Sequence, residues 1–128
     1  MRRAAMTLMM ALSAGSAHAS GTISCVSDDG ASVELTLGSL PVLSVVGVGI
    51  AAGEQRWTTI DGRDGQPVVV GQAARYGDLF VVDVADPNIE RIVAELRLLS
   101  ATEERDHVTA GTLRIVGQGA YALTCVGP

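Results

Sequence analysis

Ala31-Ser32-Val33-Glu34-Leu35-Thr36-Leu37 decides the fold class. Val33, Leu35 and Leu37 alternate with Ser32, Glu34 and Thr36, the period of two that lets a strand bury one face and wet the other. The same reading extends outward. Upstream, Ile23 and Cys25 share one face of a strand over residues 22–27; far downstream, Tyr121, Leu123 and Cys125 share a face near the other terminus. Between them turn signals recur every 8 to 15 residues, including Asp28-Asp29-Gly30, Gly53-Glu54, Tyr76-Gly77-Asp78, Asp86-Pro87-Asn88 and Gly117-Gln118-Gly119. That spacing suits short strands.

Residues 42–52 read as a long strand with Val46, Val48 and Ile50 on one face and Gly47 and Gly49 on the other, where glycine marks a bulge, a bend or a close backbone approach. Gly53-Glu54 turns the chain into a strand over 55–59; residues 67–73 and 79–84 supply two more, and 108–116 and 120–126 form a closing hairpin. One segment supports two patterns. Ile89, Ile92, Val93, Leu96 and Leu99 fit a helical stripe, whereas Ile92, Ala94, Leu96 and Leu98 fit a strand with Glu95 and Arg97 outside. The expectation is a short helical turn over 87–91, within a stretch (87–99) that could carry one short helix, followed by a strand. The architecture expected is all-β: a small antiparallel barrel or sandwich of eight or nine strands.

The start of the chain has the order of an export signal: Arg2-Arg3, an apolar run over residues 4–12 and Ala17-His18-Ala19 as cleavage site. The expected division is a signal peptide over 1–19 and one β domain over 20–128. Ser16 stands where a lipoprotein would need cysteine, and no uninterrupted apolar run reaches the roughly 18 residues of a membrane helix, so no membrane anchor is expected in the mature chain. All nine basic residues are arginine; loss of Arg2 and Arg3 leaves seven against fourteen acids, a net charge of −7. Such a surface repels nucleic acid and attracts cationic proteins. Cys25 and Cys125 are the two thiols, and export would place them where disulfides persist, so they are expected to pair and link the first strand to the last. A redox role would need closer spacing.

A search for chemistry yields little. His107 is the one histidine left after cleavage and sits beside the acidic run Glu103-Glu104-Arg105-Asp106, read as a solvated turn; no nucleophile or G-x-S-x-G accompanies it. Asp61-Gly62-Arg63-Asp64-Gly65 has carboxylates and glycines but places Arg63 between the acids and lacks the EF-hand glutamate, so it reads as a hairpin loop. No catalytic residue, metal ligand or cofactor is assigned. The binding candidates are Arg56-Trp57 and Arg75-Tyr76, because arginine beside an aromatic is enriched where proteins bind; Trp57 reads equally well as core filler, and Phe80 and Tyr121 fit core strands.

The stretches Cys25-Val26-Ser27-Asp28-Asp29-Gly30-Ala31-Ser32-Val33-Glu34-Leu35 and Ala110-Gly111-Thr112-Leu113-Arg114-Ile115, continuing to Cys125, make the chain resemble small uncharacterised secreted bacterial β-proteins with a disulfide between terminal strands. A more distant resemblance is to the periplasmic inhibitors of C-type lysozyme, small β-barrels that block the enzyme's cleft with a loop. Their Ser-Gly-x-x-Tyr pattern is absent, so no inhibitory residue carries over. Small size, a stapled fold and the lack of catalytic groups lead to one expectation: a periplasmic or extracellular binding or interaction module for another envelope protein, with inhibition of a cationic enzyme, which the acidic charge would attract, as its concrete form. Two other classes stay open, a small carboxylate-dependent hydrolase of envelope polymers and a structural envelope protein.

Overall fold

The computed structural model describes residues 21–38 and 44–128. The expected leader, its cleavage site and the start of the strand expected over 42–52 lie outside the described residues. Among the described residues there are ten strands: β1 (Thr22–Val26), β2 (Ala31–Leu37), β3 (Val45–Ala52), β4 (Gln55–Thr58), β5 (Gln66–Pro67), β6 (Val69–Tyr76), β7 (Leu79–Ala85), β8 (Ile92–Glu103), β9 (Asp106–Ile115) and β10 (Gly119–Val126). They form one sheet in the order β5-β4-β3-β2-β1-β10-β9-β8-β7-β6, curled until β3 and β6 meet, so the architecture is a nearly closed barrel rather than a two-layered sandwich. Among the described residues there is no helix, and hence none long and apolar enough to cross a membrane.

Alternation builds the core. Ile23, Cys25, Val33, Leu35, Val48 and Ile50 point inward from β1 to β3, and Phe80, Val82, Val84, Leu96, Leu98, Leu113 and Ile115 do so from β7 to β9. Register carries one inward row across five strands: Cys125 faces Cys25, which faces Val33, then Ile50, then Trp57. Cys25 and Cys125 are bonded through their sulfurs, so the pair of strands nearest the two ends of the described chain is stapled in the middle of the sheet. A structural disulfide fits an oxidising, extracytoplasmic compartment.

Four expectations need correction. The strand count is ten because Val68 divides the run expected over 67–73: its amide donates to the Thr58 carbonyl, leaving β5 on β4 and β6 on β7. The loop over 61–65 does not close a hairpin, since β4 and β5 run parallel. Val46 does not share a face with Val48 and Ile50; the β2–β3 register slips between Thr36 and Leu37, and Val46 is the extra residue, exposed beside Gly47. Residues 87–91 form no helical turn. The Asp86 carboxylate accepts the Glu90 and Arg91 amides at 2.8 and 2.7 Å, and Ile89 takes a left-handed backbone (φ +56°), which diverts the donors and the path a helix would need. The strand pattern wins thereafter, with Ala94, Leu96 and Leu98 buried.

Those amide bonds hold the Asp86 carboxyl below the usual aspartate range, the bond from Arg91 contributing most. A group depressed in the folded state stabilises it above the unfolded pKa, and that contribution fades as pH falls through the folded value. A carboxyl-detected NMR titration is expected to place Asp86 below the ordinary aspartate value, and Asp86→Asn is expected to remove this acid-range loss.

Candidate functional site

β8 and β9 make the longest hairpin in the barrel, and its side chains change character halfway along. Near its base the inward pairs are aliphatic, Ala94 with Ile115 and Leu96 with Leu113, while the outward pairs are polar, Glu95 with Arg114 and Arg97 with Thr112. Arg114 reaches Glu95 at 3.0 Å, and Arg97 reaches Asp83 on β7 at 2.8 Å. Beyond Leu98 the pattern inverts. Inward pairs become Ser100 with Thr109 and Thr102 with His107; outward pairs become Leu99 with Ala110 and Ala101 with Val108. No register shift separates the two halves. The inversion is therefore written in the residue types.

The outward half continues onto neighbouring strands. Leu79 on β7 faces Leu99 and Tyr76 on β6 faces Leu79, while Val126 on β10, one residue beyond the Cys125–Thr109 pair, is exposed on the outer face. Val26 on β1 lies across from Thr124, which faces Ala110. Leu99, Val108, Tyr76 and Val126 are 61 %, 65 %, 62 % and 73 % exposed. Large aliphatics side by side on an outer face are costly in water, and contiguous patches of this kind mark contact sites. At the tip, Glu103 pairs with Asp106 across the turn Glu104-Arg105, putting three carboxylates and one guanidinium at the margin of the apolar strip.

The inward half lines the open end of the barrel. The His107 imidazole is held from both sides, Nδ1 by Thr102 Oγ1 at 2.7 Å and Nε2 by Thr109 Oγ1 at 3.3 Å, and Thr109 Oγ1 lies 2.9 Å from Ser100 Oγ. Arg75 closes the opposite wall with its guanidinium carbon 5.5 Å from the Phe80 ring centroid, and Asp78 sits on the rim, its carbonyl accepting the Ser100 amide. The recess there is about 310 Å³, floored by Ile23, Phe80 and Leu98.

The four sequence candidates part company here. Trp57 is 4 % exposed and belongs to the core, because β4 turns it inward behind Ile50; its surface reading is corrected. Arg56 is exposed on the outer face, beside a groove it shares with Glu34, Arg63 and Asp64. Arg75 and Tyr76 come to the same end of the barrel on opposite faces, Arg75 at the mouth and Tyr76 on the apolar strip. Sequence reading missed Ser100, Thr102 and Thr109 as mouth residues and Leu99, Val108 and Val126 as a patch. The available signal was Leu98-Leu99, two adjacent leucines at which an alternating strand changes phase. Among the described residues no group of three His, Cys, Asp or Glu side chains could hold a metal ion. No family model matches the chain, and neither a curated protein nor a solved structure matches it.

Proposed function

We propose that the protein is an extracytoplasmic binding module that docks a basic protein through the outer face of the β8–β9 hairpin. The observation that carries this reading is the inversion beyond Leu98, which sets Leu99, Ala101, Val108 and Ala110 outward in line with Tyr76 and Leu79, with Val126 exposed on the same outer face. An apolar centre with a charged margin is the anatomy of a protein contact. The margin supplied by Glu103, Glu104 and Asp106, together with the acidic chain as a whole, steers a cationic partner and repels an anionic bilayer. A rigid support favours tight docking, since less order must be imposed on binding, and the Cys25–Cys125 bond helps provide it. Inhibition of a cationic wall-degrading enzyme such as C-type lysozyme is the concrete form of this proposal.

With excess mature protein at low salt, lysozyme-driven lysis is expected to slow, and added salt to weaken the effect. The double variant Leu99→Ser/Val108→Ser, at two exposed positions, is expected to lose inhibition while keeping its thermal midpoint. Unchanged lysis would remove the lysozyme form. A photo-crosslinker installed at position 99 in cells tests the broader reading: a discrete adduct that disappears on Glu103→Lys/Asp106→Lys supports it. Equal labelling from position 99 and from position 112, outside the strip, overturns it.

A further inference from the structure

We propose that the mouth behind the same hairpin binds a small zwitterionic amino acid with an apolar side chain. This site is separate from the docking strip, because it lies on the inward face of β8 and β9. Three features of the lining correspond to three parts of such a ligand. Arg75 is a guanidinium that enters neither of the two ion pairs among the described residues, which use Arg97 and Arg114, so it is free to take a carboxylate. Asp78 is the one acidic side chain among the lining residues, which also include Gly127 and Pro128, and suits an ammonium. Ile23, Phe80 and Leu98 form an apolar floor below them.

The remaining wall is arranged for polar contact. Ser100, Thr102, Thr109 and His107 occupy inward positions that the rest of the hairpin fills with aliphatic side chains and one glycine, Gly111. Their mutual bonds fix the imidazole and three hydroxyls before any ligand arrives, so little order is lost on binding. Hydroxyls retain spare lone pairs and protons after such bonds, and these can reach a ligand carboxylate or ammonium. A space of about 310 Å³ stands at the lower bound of small-molecule sites and suits a ligand the size of leucine.

L-leucine and D-leucine are the probes, with 4-methylpentanoate and isopentylamine as analogues lacking the ammonium and the carboxylate respectively. Titration followed by NMR is expected to show saturable binding of at least one leucine enantiomer, with shifts at His107 and Ser100, and each analogue binding at least tenfold more weakly. Arg75→Gln is expected to weaken leucine at least tenfold. Asp78→Asn is expected to abolish the preference for leucine over 4-methylpentanoate. Both positions are exposed, and an amide fingerprint matching the parent protein verifies that each variant is folded. Absence of saturable binding by either enantiomer overturns the proposal, as does unchanged affinity in folded Arg75→Gln. Equal affinity for leucine and 4-methylpentanoate in the parent protein replaces the zwitterion by a simple carboxylate and overturns the role of Asp78.

Discussion

Replacing Cys25 and Cys125 together by alanine is expected to lower the free energy of unfolding by about 4–5 kcal/mol, the value for a cross-link closing a loop of about 100 residues. The sulfurs join positions separated by 100 in sequence, so the bond removes a large share of the denatured chain's freedom. In the native state it spans neighbours that β1–β10 pairing already places face to face. The unfolded chain is therefore where most of the effect arises. For a domain of this size the thermal midpoint should fall by about 15 °C or more. Urea unfolding should also steepen, because a chain without the cross-link exposes more surface. Reduction of the unaltered protein separates cross-linking from packing. Cys25 is buried, so the alanine variant also loses sulfur contacts, whereas the reduced protein keeps both thiols. A loss under about 1 kcal/mol in both cases would show that the β1–β10 ladder closes the barrel unaided.

Gly111→Ala is expected to cost about 3 kcal/mol or more, the range of severe core overpacking. Gly111 sits inward on β9 between Leu98 on β8 and Leu123 on β10. A Cβ built there overlaps the Arg97 carbonyl oxygen and comes within 2.9 Å of the Leu98 Cα. Both are backbone atoms, so no side-chain rotation relieves the clash and the two strands must part. They part, moreover, at the point where the hairpin changes from core to mouth. Gly49→Ala is the matched control, since a Cβ there meets nothing within 4 Å. Loss of glycine's unfolded-state freedom should leave that variant unchanged or more stable by up to about 1 kcal/mol. Urea midpoints of the two variants measure the contrast. Equal midpoints would show that β8 and β9 have slack at Gly111.

The alternation in residues 31–37, the shared faces of Ile23 with Cys25 and of Leu123 with Cys125, and the two isolated thiols made the all-β class and the terminal staple legible from residues alone. The site was legible only in fragments. Arg75 and Tyr76 stood out as a pair, yet nothing local said that they lie on opposite faces of one wall. His107 read as part of a solvated turn, and the turn is there, but the hydroxyls that grip its ring come from Thr102 across the hairpin and Thr109 two residues on.

Local periodicity determined where strands run, because successive side chains must point to opposite faces whatever the rest of the chain does. Where polarity does not mark the inward face, as around Trp57 and beyond Leu98, it could not say which face is the inside. That choice belonged to the tertiary structure: closure of the sheet turned Trp57 inward, sent β5 parallel to β4, and turned Ser100, Thr102, His107 and Thr109 toward the open mouth while leaving Leu99 and Val108 on the outer face. The physical reason is that a period of two is symmetric between faces, and only strands brought together from far along the chain break that symmetry.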